Sequence, residues 1–429
     1  MIALLALAGC RVAHTPSLPT VPSRAPSAVP ATPSVVETPD ASPSRAPLLL
    51  AHVMPWYQTP SVSGYWGWHW TMDHFDPGEV DAEGRPSIAS YYFPLTGPYD
   101  SADDDLVEYQ VLLMKLAGID GVIVDWYGME DFRDYAVLNV STHKLFAAIQ
   151  RAGLRFAICY EDQTVRHMVD HGYLQTQDVY THGQAVMRYL QDTWFGADAY
   201  LKVEGRPALF VFGPQYYTNA LNWEELFSVL ETRPALATLD GHTESAGVAS
   251  YPWPPMWAGQ DGVLSQEALE GYLAGFYTKA QRWELLVAGA FPGFRDIYAE
   301  AGVATESRYL DPLQGETFRY TLQLALEQKP DIIQLITWND YGESTAIEPT
   351  EEYGYLYLEM IQEVQRAGDG GGFPFTAEDL RVPLQLYRLR KQHPNDAAIN
   401  TRLGTASDAL IAGDVNLART ILASLSNVP

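Results

Sequence analysis

Two acidic residues three positions apart, Asp340 and Glu343, stand in an aromatic setting, Trp338-Asn339-Asp340-Tyr341-Gly342-Glu343. That spacing puts both carboxylates on one turn, where they can face the same cavity. A carboxylate pair among aromatic rings suits cleavage of a glycosidic bond, with one group giving a proton and the other serving as base or nucleophile. The competing reading is structural: Asp340 caps a helix and Glu343 is solvated. The preceding stretch favours chemistry. Ile332-Ile333-Gln334-Leu335-Ile336 follows the turn signal Lys329-Pro330-Asp331 and reads as a strand buried on both faces, as in a parallel sheet. The polar and aromatic residues begin where that strand ends, and in a barrel of parallel strands the C-terminal mouth is the reactive one.

Acids and rings recur after other apolar runs. Residues 48–54 lead into Pro55-Trp56-Tyr57, residues 121–124 into Asp125-Trp126-Tyr127, and residues 155–160 into Glu161-Asp162. A fourth strand is expected at 207–213, further ones at 235–239, 247–251 and 285–290, and 332–336 is the eighth. Helical spacing separates them, clearest at 103–117, where three aspartates favour the N-terminus and Gly118 closes the end, and again at 142–151. This alternation predicts an α/β protein, a (β/α)8 TIM barrel with a small C-terminal helical extension. A doubly wound nucleotide-binding sheet is the weaker reading, because the sequence carries neither a glycine-rich phosphate loop nor G-x-S-x-G. Trp66, Trp68 and Trp70 alternate, so an extended segment there would present one aromatic face, either a sugar platform or a plug. His69, Asp73, His74 and Asp76 fit no metal-ligand spacing and H-E-x-x-H does not occur, so no metal or other cofactor is expected.

The 429 residues carry a formal charge of -26, which argues against nucleic acid or an anionic surface as partner and favours a neutral ligand. With 11 Trp and 26 Tyr the chain is rich in rings that suit sugar faces. Of the two cysteines, Cys159 lies in an apparent buried strand and reads as inert packing. Cys10 ends Leu5-Ala6-Leu7-Ala8-Gly9-Cys10, which resembles a bacterial lipobox, so residues 1–10 read as a lipoprotein signal. Residues 11–47 are dominated by Pro, Ser, Thr, Ala and Val and read as a disordered tether. Together they predict a domain outside the cytoplasm, held to a bacterial membrane only by lipid on Cys10. The barrel is expected at 48–370. Residues 371–429 read as a helical hairpin extension, with helices at 377–392 and 396–425 broken at Gly413-Asp414, packing on the barrel or capping it.

Over residues 48–365 the chain resembles glycoside hydrolase families 71 and 99 on several anchors together. These are P-W-Y at 55–57, A-G-I-D-G-V-I-V-D-W-Y-G at 117–128, C-Y-E-D at 159–162, P-A-L-F-V-F at 207–212, F-P-G-F-R-D at 291–296 and T-W-N-D-Y-G-E-S at 337–344. The last is similar to family 71, which cleaves α-1,3-glucan, whereas Ile347-Glu348-Pro349 matches family 99, the endo-α-mannosidases. The resemblance implies an endo-acting hydrolase of an α-linked neutral glycan, of α-1,3-glucan or α-mannan type. Catalysis would fall on Asp340 and Glu343, with Asp in place of family 99's Glu drawing the first carboxylate back by one methylene. Glu343 would be the general acid, expected to be the less solvated of the two. Asp340 would be the ionised partner, activating water or the sugar's own 2-hydroxyl. Asp125 and Glu161 would hydrogen-bond sugar hydroxyls, and Trp56, Tyr57, Trp126, Tyr127, Trp338, Asn339 and Tyr341 would complete the substrate site. The alternative is a non-catalytic cell-surface glycan-binding lipoprotein on the same barrel.

Overall fold

Eight parallel strands lie side by side in chain order in the computed structural model, which describes residues 46–241, 246–368 and 372–425. They are β1 (Leu48–Val53), β2 (Gly121–Trp126), β3 (Arg155–Tyr160), β4 (Arg206–Val211), β5 (Ala235–Leu239), β6 (Ala249–Tyr251), β7 (Val287–Ala290) and β8 (Ile332–Leu335). Ladders join β1 through β6 in sequence, and β7 pairs with β8, which pairs with β1 through Leu48 opposite Ile332. Between β6 and β7 the ring meets at a looser seam, where the Leu285 amide reaches the Val248 carbonyl at 3.4 Å. This is the expected (β/α)8 barrel. Leu50, Ile123, Ala157, Phe210, Val287 and Ile332 turn inward and fill the lumen, while Val122, Val124 and Trp126 pack outward against the helices. Both faces are apolar because both are covered.

The helices are α1 (Asp104–Ala117), α2 (Tyr135–Ala152), α3 (Gln163–Asp170), α4 (Val179–Leu190), α5 (Ala220–Phe227), α6 (Gln266–Ala280), α7 (Glu316–Glu327) and α8 (Leu356–Gly368). Among the described residues no helix lies between β5 and β6. α1 starts and stops on sequence signals. The Asp103 carboxylate accepts from the Asp105 amide, and Gly118, at φ 83, returns its N–H to Lys115 and Met114. α2 begins well before the expected position 142. Val137, Val140, Ser141 and Thr142 weaken its helix propensity, but buried Tyr135 and Leu138 supply the packing that overrides it.

Three further helices, α9 (Val382–Gln392), α10 (Ala397–Ile411) and α11 (Val415–Leu425), form the extension. It lies on the outer flank of α1 and not over the mouth. Arg390 Nε meets Glu108 at 2.6 Å, Lys391 Nζ meets Asp103 and Asp105 at 2.6 and 2.8 Å, and the Tyr387 and Tyr109 rings lie 5.6 Å apart. Leu386, Leu403 and Leu422 belong to the same apolar core as Leu113 of α1. No described helix is long and apolar enough to cross a membrane. Cys10 and the tether up to residue 45 lie outside the described residues.

Candidate active site

Leaving β8, residues 337–349 fold back on themselves. The Thr337 amide donates to the Thr345 carbonyl at 3.0 Å, Ile347 returns its amide to Thr337 at 3.0 Å, and Glu348 donates to Trp338 at 2.9 Å. Asn339 clamps this loop to the end of β1. Its Oδ1 accepts from the Met54 amide at 2.8 Å, and its Nδ2 donates to the Met54 carbonyl at 2.9 Å and the Tyr99 hydroxyl at 3.0 Å. The Tyr57 hydroxyl donates to the Asn339 carbonyl at 2.9 Å and accepts from the Tyr341 amide at 3.1 Å. Below, Glu348 accepts from the Tyr99 and Tyr341 hydroxyls, both at 2.6 Å, and from Gln110 at 2.9 Å. Asn339, Tyr57, Tyr99, Tyr341 and Glu348 are each tied to buried partners, so the turn carrying Asp340 and Glu343 has little freedom.

The two acids occupy different environments. Asp340 is 3% exposed and its Oδ1 accepts from the Glu343 amide at 3.0 Å. Burial pushes its carboxyl up to about 7, against the pull of the Glu343 and Gly342 amides. Glu343 goes up to about 8, first through burial and then through the charge of Asp340, with Arg308 opposing. Glu343 is the more exposed of the pair, contrary to expectation. It is still the weaker acid, because amide donors favour ionised Asp340 while Asp340's charge disfavours ionised Glu343. The Tyr298 hydroxyl stands 3.5 Å from Glu343 Oε1, and Arg308 is held at 2.7 Å by fully buried Asp296. Opposite, at the ends of β2 and β3, burial and then the charges of Glu161 and Asp340 raise Asp125 well above the carboxylate range, while burial lifts Glu161 to about 7. Asp125 thus feels both Glu161 and Asp340, and Asp340 in turn acts on Glu343.

These raised acids bind protons more tightly folded than unfolded. Their stabilisation is fully present below the unfolded values and is lost as pH rises through the folded ones. Asp340, Glu161 and Glu348 lose it near 7 and Glu343 near 8. Buried His52 and His69, depressed from 6.5 to about 3, work the other way only below 6.5. Four acids outweigh two histidines below 6.5 as well, so unfolding free energy is expected to increase by roughly 3 kcal/mol from pH 8 to about 6.5 and to keep increasing toward about pH 5, as urea titrations across that range will read.

Several rings expected to stack on sugar cannot do so. Tyr57, Trp126, Trp338 and Tyr341 are fully buried: Trp126 packs outward beside Tyr189 and Trp194, and Tyr57 and Tyr341 pack around Trp70. Asn339 is consumed by its clamp. Trp56 keeps 8% exposure and stacks parallel on His69 at 4.1 Å, so one face is already taken. Tyr127 remains available, half-buried, 6.2 Å from Trp56 and within the field of Glu161 and Asp125. Asp125, 1% exposed, forms the floor of the mouth and not its lining. The Trp66, Trp68 and Trp70 stripe does not form either. Trp68–Thr71 is a helical turn, which points residues 68 and 70 apart, and Trp70 is buried with its indole donating to the Tyr99 carbonyl at 2.8 Å. Trp253, Tyr298 and Arg308 were not singled out from sequence. Trp253, after β6, sets its ring edge-on to His52 at 5.1 Å and favours ionised Glu343. Their only signal was position in loops following strands.

The sequence model for glycosyl hydrolase family 99 matches residues 47–361. A glycoprotein endo-alpha-1,2-mannosidase-like protein of Danio rerio is 25% identical over 334 residues, 71% of this chain and 72% of the relative. Glycoprotein endo-alpha-1,2-mannosidase of Rattus norvegicus is 21% identical over 341 residues, 71% of this chain and 69% of the relative. Among solved structures, the family 99 endo-alpha-mannosidase of Bacteroides thetaiotaomicron superposes with a TM-score of 0.53 at 18% identity, covering 75% of this chain and 97% of that one. That likeness bears on the fold.

Proposed function

The chain belongs to glycosyl hydrolase family 99 and is a glycoside hydrolase, and on that premise we propose that it cuts within an uncharged α-mannan-type glycan using Glu343 and Asp340. The observation carrying this reading is the pair itself, two acids on one turn after β8 with Glu343 holding its proton to about 8 and Asp340 to about 7. Glu343 protonates the glycosidic oxygen as the bond to the leaving sugar breaks. Asp340, ionised, takes the proton of the attacking group, water or the sugar's own 2-hydroxyl. Tyr127 and Glu161 border the sugar. Mannan is preferred over α-1,3-glucan because the rat relative is an endo-alpha-1,2-mannosidase and Ile347-Glu348-Pro349 follows the pair. Incubation with α-1,2-mannan and α-1,3-glucan oligosaccharides tests this: internal cleavage of the mannan is expected, and binding of either without release of reducing ends overturns it.

The two acids also set a pH dependence. Activity needs Asp340 ionised and Glu343 protonated, so it falls below about 7 as Asp340 gains a proton and above about 8 as Glu343 loses one. A narrow bell in kcat/KM with those limbs is expected, and a flat profile from pH 5 to 9 contradicts the assignment.

The same reading places the enzyme outside the cytoplasm, tethered to a bacterial membrane by lipid on Cys10. The lipobox-like Leu5-Ala6-Leu7-Ala8-Gly9-Cys10 and the Pro/Ser/Thr-rich stretch after it support this. Cys10→Ser is expected to move the protein from the membrane to the soluble fraction and to abolish labelling by a clickable fatty acid. Unchanged labelling sinks the anchor.

A further inference from the structure

Beneath the catalytic acids, at the top of the lumen, β1, β2 and β3 each turn a ligand-type side chain inward: His52, Asp125 and Cys159. Their ligand atoms lie within 4.8 Å of one another, and none of the three residues is more than 1% exposed. Buried polar atoms normally find partners. Among the described residues His52 Nε2 and both Asp125 carboxylate oxygens have none, nor has Gln334 Oε1 beside them. Cys159 Sγ lies 3.4 Å from the Tyr251 hydroxyl.

From this juxtaposition we infer that His52, Asp125 and Cys159 form a binding site for a divalent transition-metal ion of the zinc class. Imidazole with thiolate and one carboxylate is a borderline-soft donor set, which selects zinc over calcium or magnesium, and three protein ligands leave a fourth position for water. Tetrahedral bonds of about 2.0–2.3 Å put ligand atoms about 3.4–3.6 Å apart, so side-chain rotations that contract the cluster by about 1 Å complete the shell. Charges balance: a thiolate and a carboxylate neutralise the ion, and the thiol proton and the proton held by the buried Asp125 carboxyl both leave to solvent as the metal bonds form. Gln334 supplies the outer partner. Its amide nitrogen lies 2.8 Å from His52 Nδ1. Turning that amide over lets Oε1 accept from Nδ1–H, which removes the orphaned oxygen and leaves the Nε2 lone pair for the ion, as carbonyl partners of zinc-binding histidines do. No sequence spacing announced the site because its ligands come from three separate strands.

The test uses the full chain, stripped with a chelator and then loaded with zinc or with cobalt(II) as a spectroscopic substitute. Elemental analysis is expected to find one zinc per chain, and the cobalt form to show a near-ultraviolet thiolate-to-metal band with visible d–d bands. Cys10→Ser, which removes the other cysteine, keeps both signals. Cys159→Ala loses the thiolate band and binds at least about tenfold more weakly, with its melting curve checking that it folds. Should it fail to fold, near-isosteric Asp125→Asn decides on affinity alone, binding at least about tenfold more weakly while keeping the thiolate band of whatever metal it holds. Uptake below a tenth of an equivalent by the wild type overturns the site, and so does undiminished binding in the folded variant.

Discussion

Glu343→Gln and Asp340→Asn are each expected to lower kcat on a cleaved α-glycan by about 10²–10⁴-fold, the usual worth of a positioned acid or base. Both changes keep size and shape, so the loss falls on kcat with little effect on KM. They differ in what remains of the pH profile. Glu343→Gln removes the alkaline limb. Asp340→Asn removes the acid limb and also lowers the Glu343 limb from about 8 toward its ordinary 4.5, because Asp340's charge is one of the causes that raise it. Neither variant should be less stable at pH 8, where each removes a buried charge that folding disfavours. Near wild-type turnover in either one removes that residue from the mechanism.

Asn339→Leu is expected to cost about 3–5 kcal/mol of stability, because it orphans the buried Met54 amide and carbonyl together and removes a partner of the Tyr99 hydroxyl. Urea unfolding measures it. Had Asn339 been a sugar contact, the same substitution would raise KM and leave unfolding almost unchanged. A stability loss under about 1 kcal/mol contradicts the clamp.

The contrast between Asn339 and Asp340 shows where sequence reasoning reached and where it stopped. Strands buried on both faces advertise themselves as apolar runs, so β1 to β4 and β8 were readable, as was the capped α1. The same property hides orientation. Side chains alternate along a strand, so of neighbouring Asp125 and Trp126 only one can face the mouth, and apolarity on both sides does not say which. Asp125 faces in and Trp126 packs outward. Glu161 and Asp162 divide likewise: Glu161 joins the acids, while Asp162 accepts from the amides of Gln215, Tyr216 and Tyr217 and fixes the loop after β4. The fold of residues 337–349 was beyond sequence for another reason. Its clamps run to Met54, Tyr57 and Tyr99, far away in the chain, and only the closed barrel brings them together.

The most direct measurement compares two substrates of the Glu343→Gln protein: an α-1,2-linked mannan oligosaccharide, whose leaving sugar needs a proton, and an α-mannobiosyl fluoride, whose fluoride leaves without one. With Glu343 as the general acid, the variant is nearly inactive on the oligosaccharide yet releases fluoride in its first turnover at close to the wild-type rate, while Asp340→Asn fails on both. Equal loss on both substrates in Glu343→Gln, or wild-type cleavage of the oligosaccharide by it, contradicts the account.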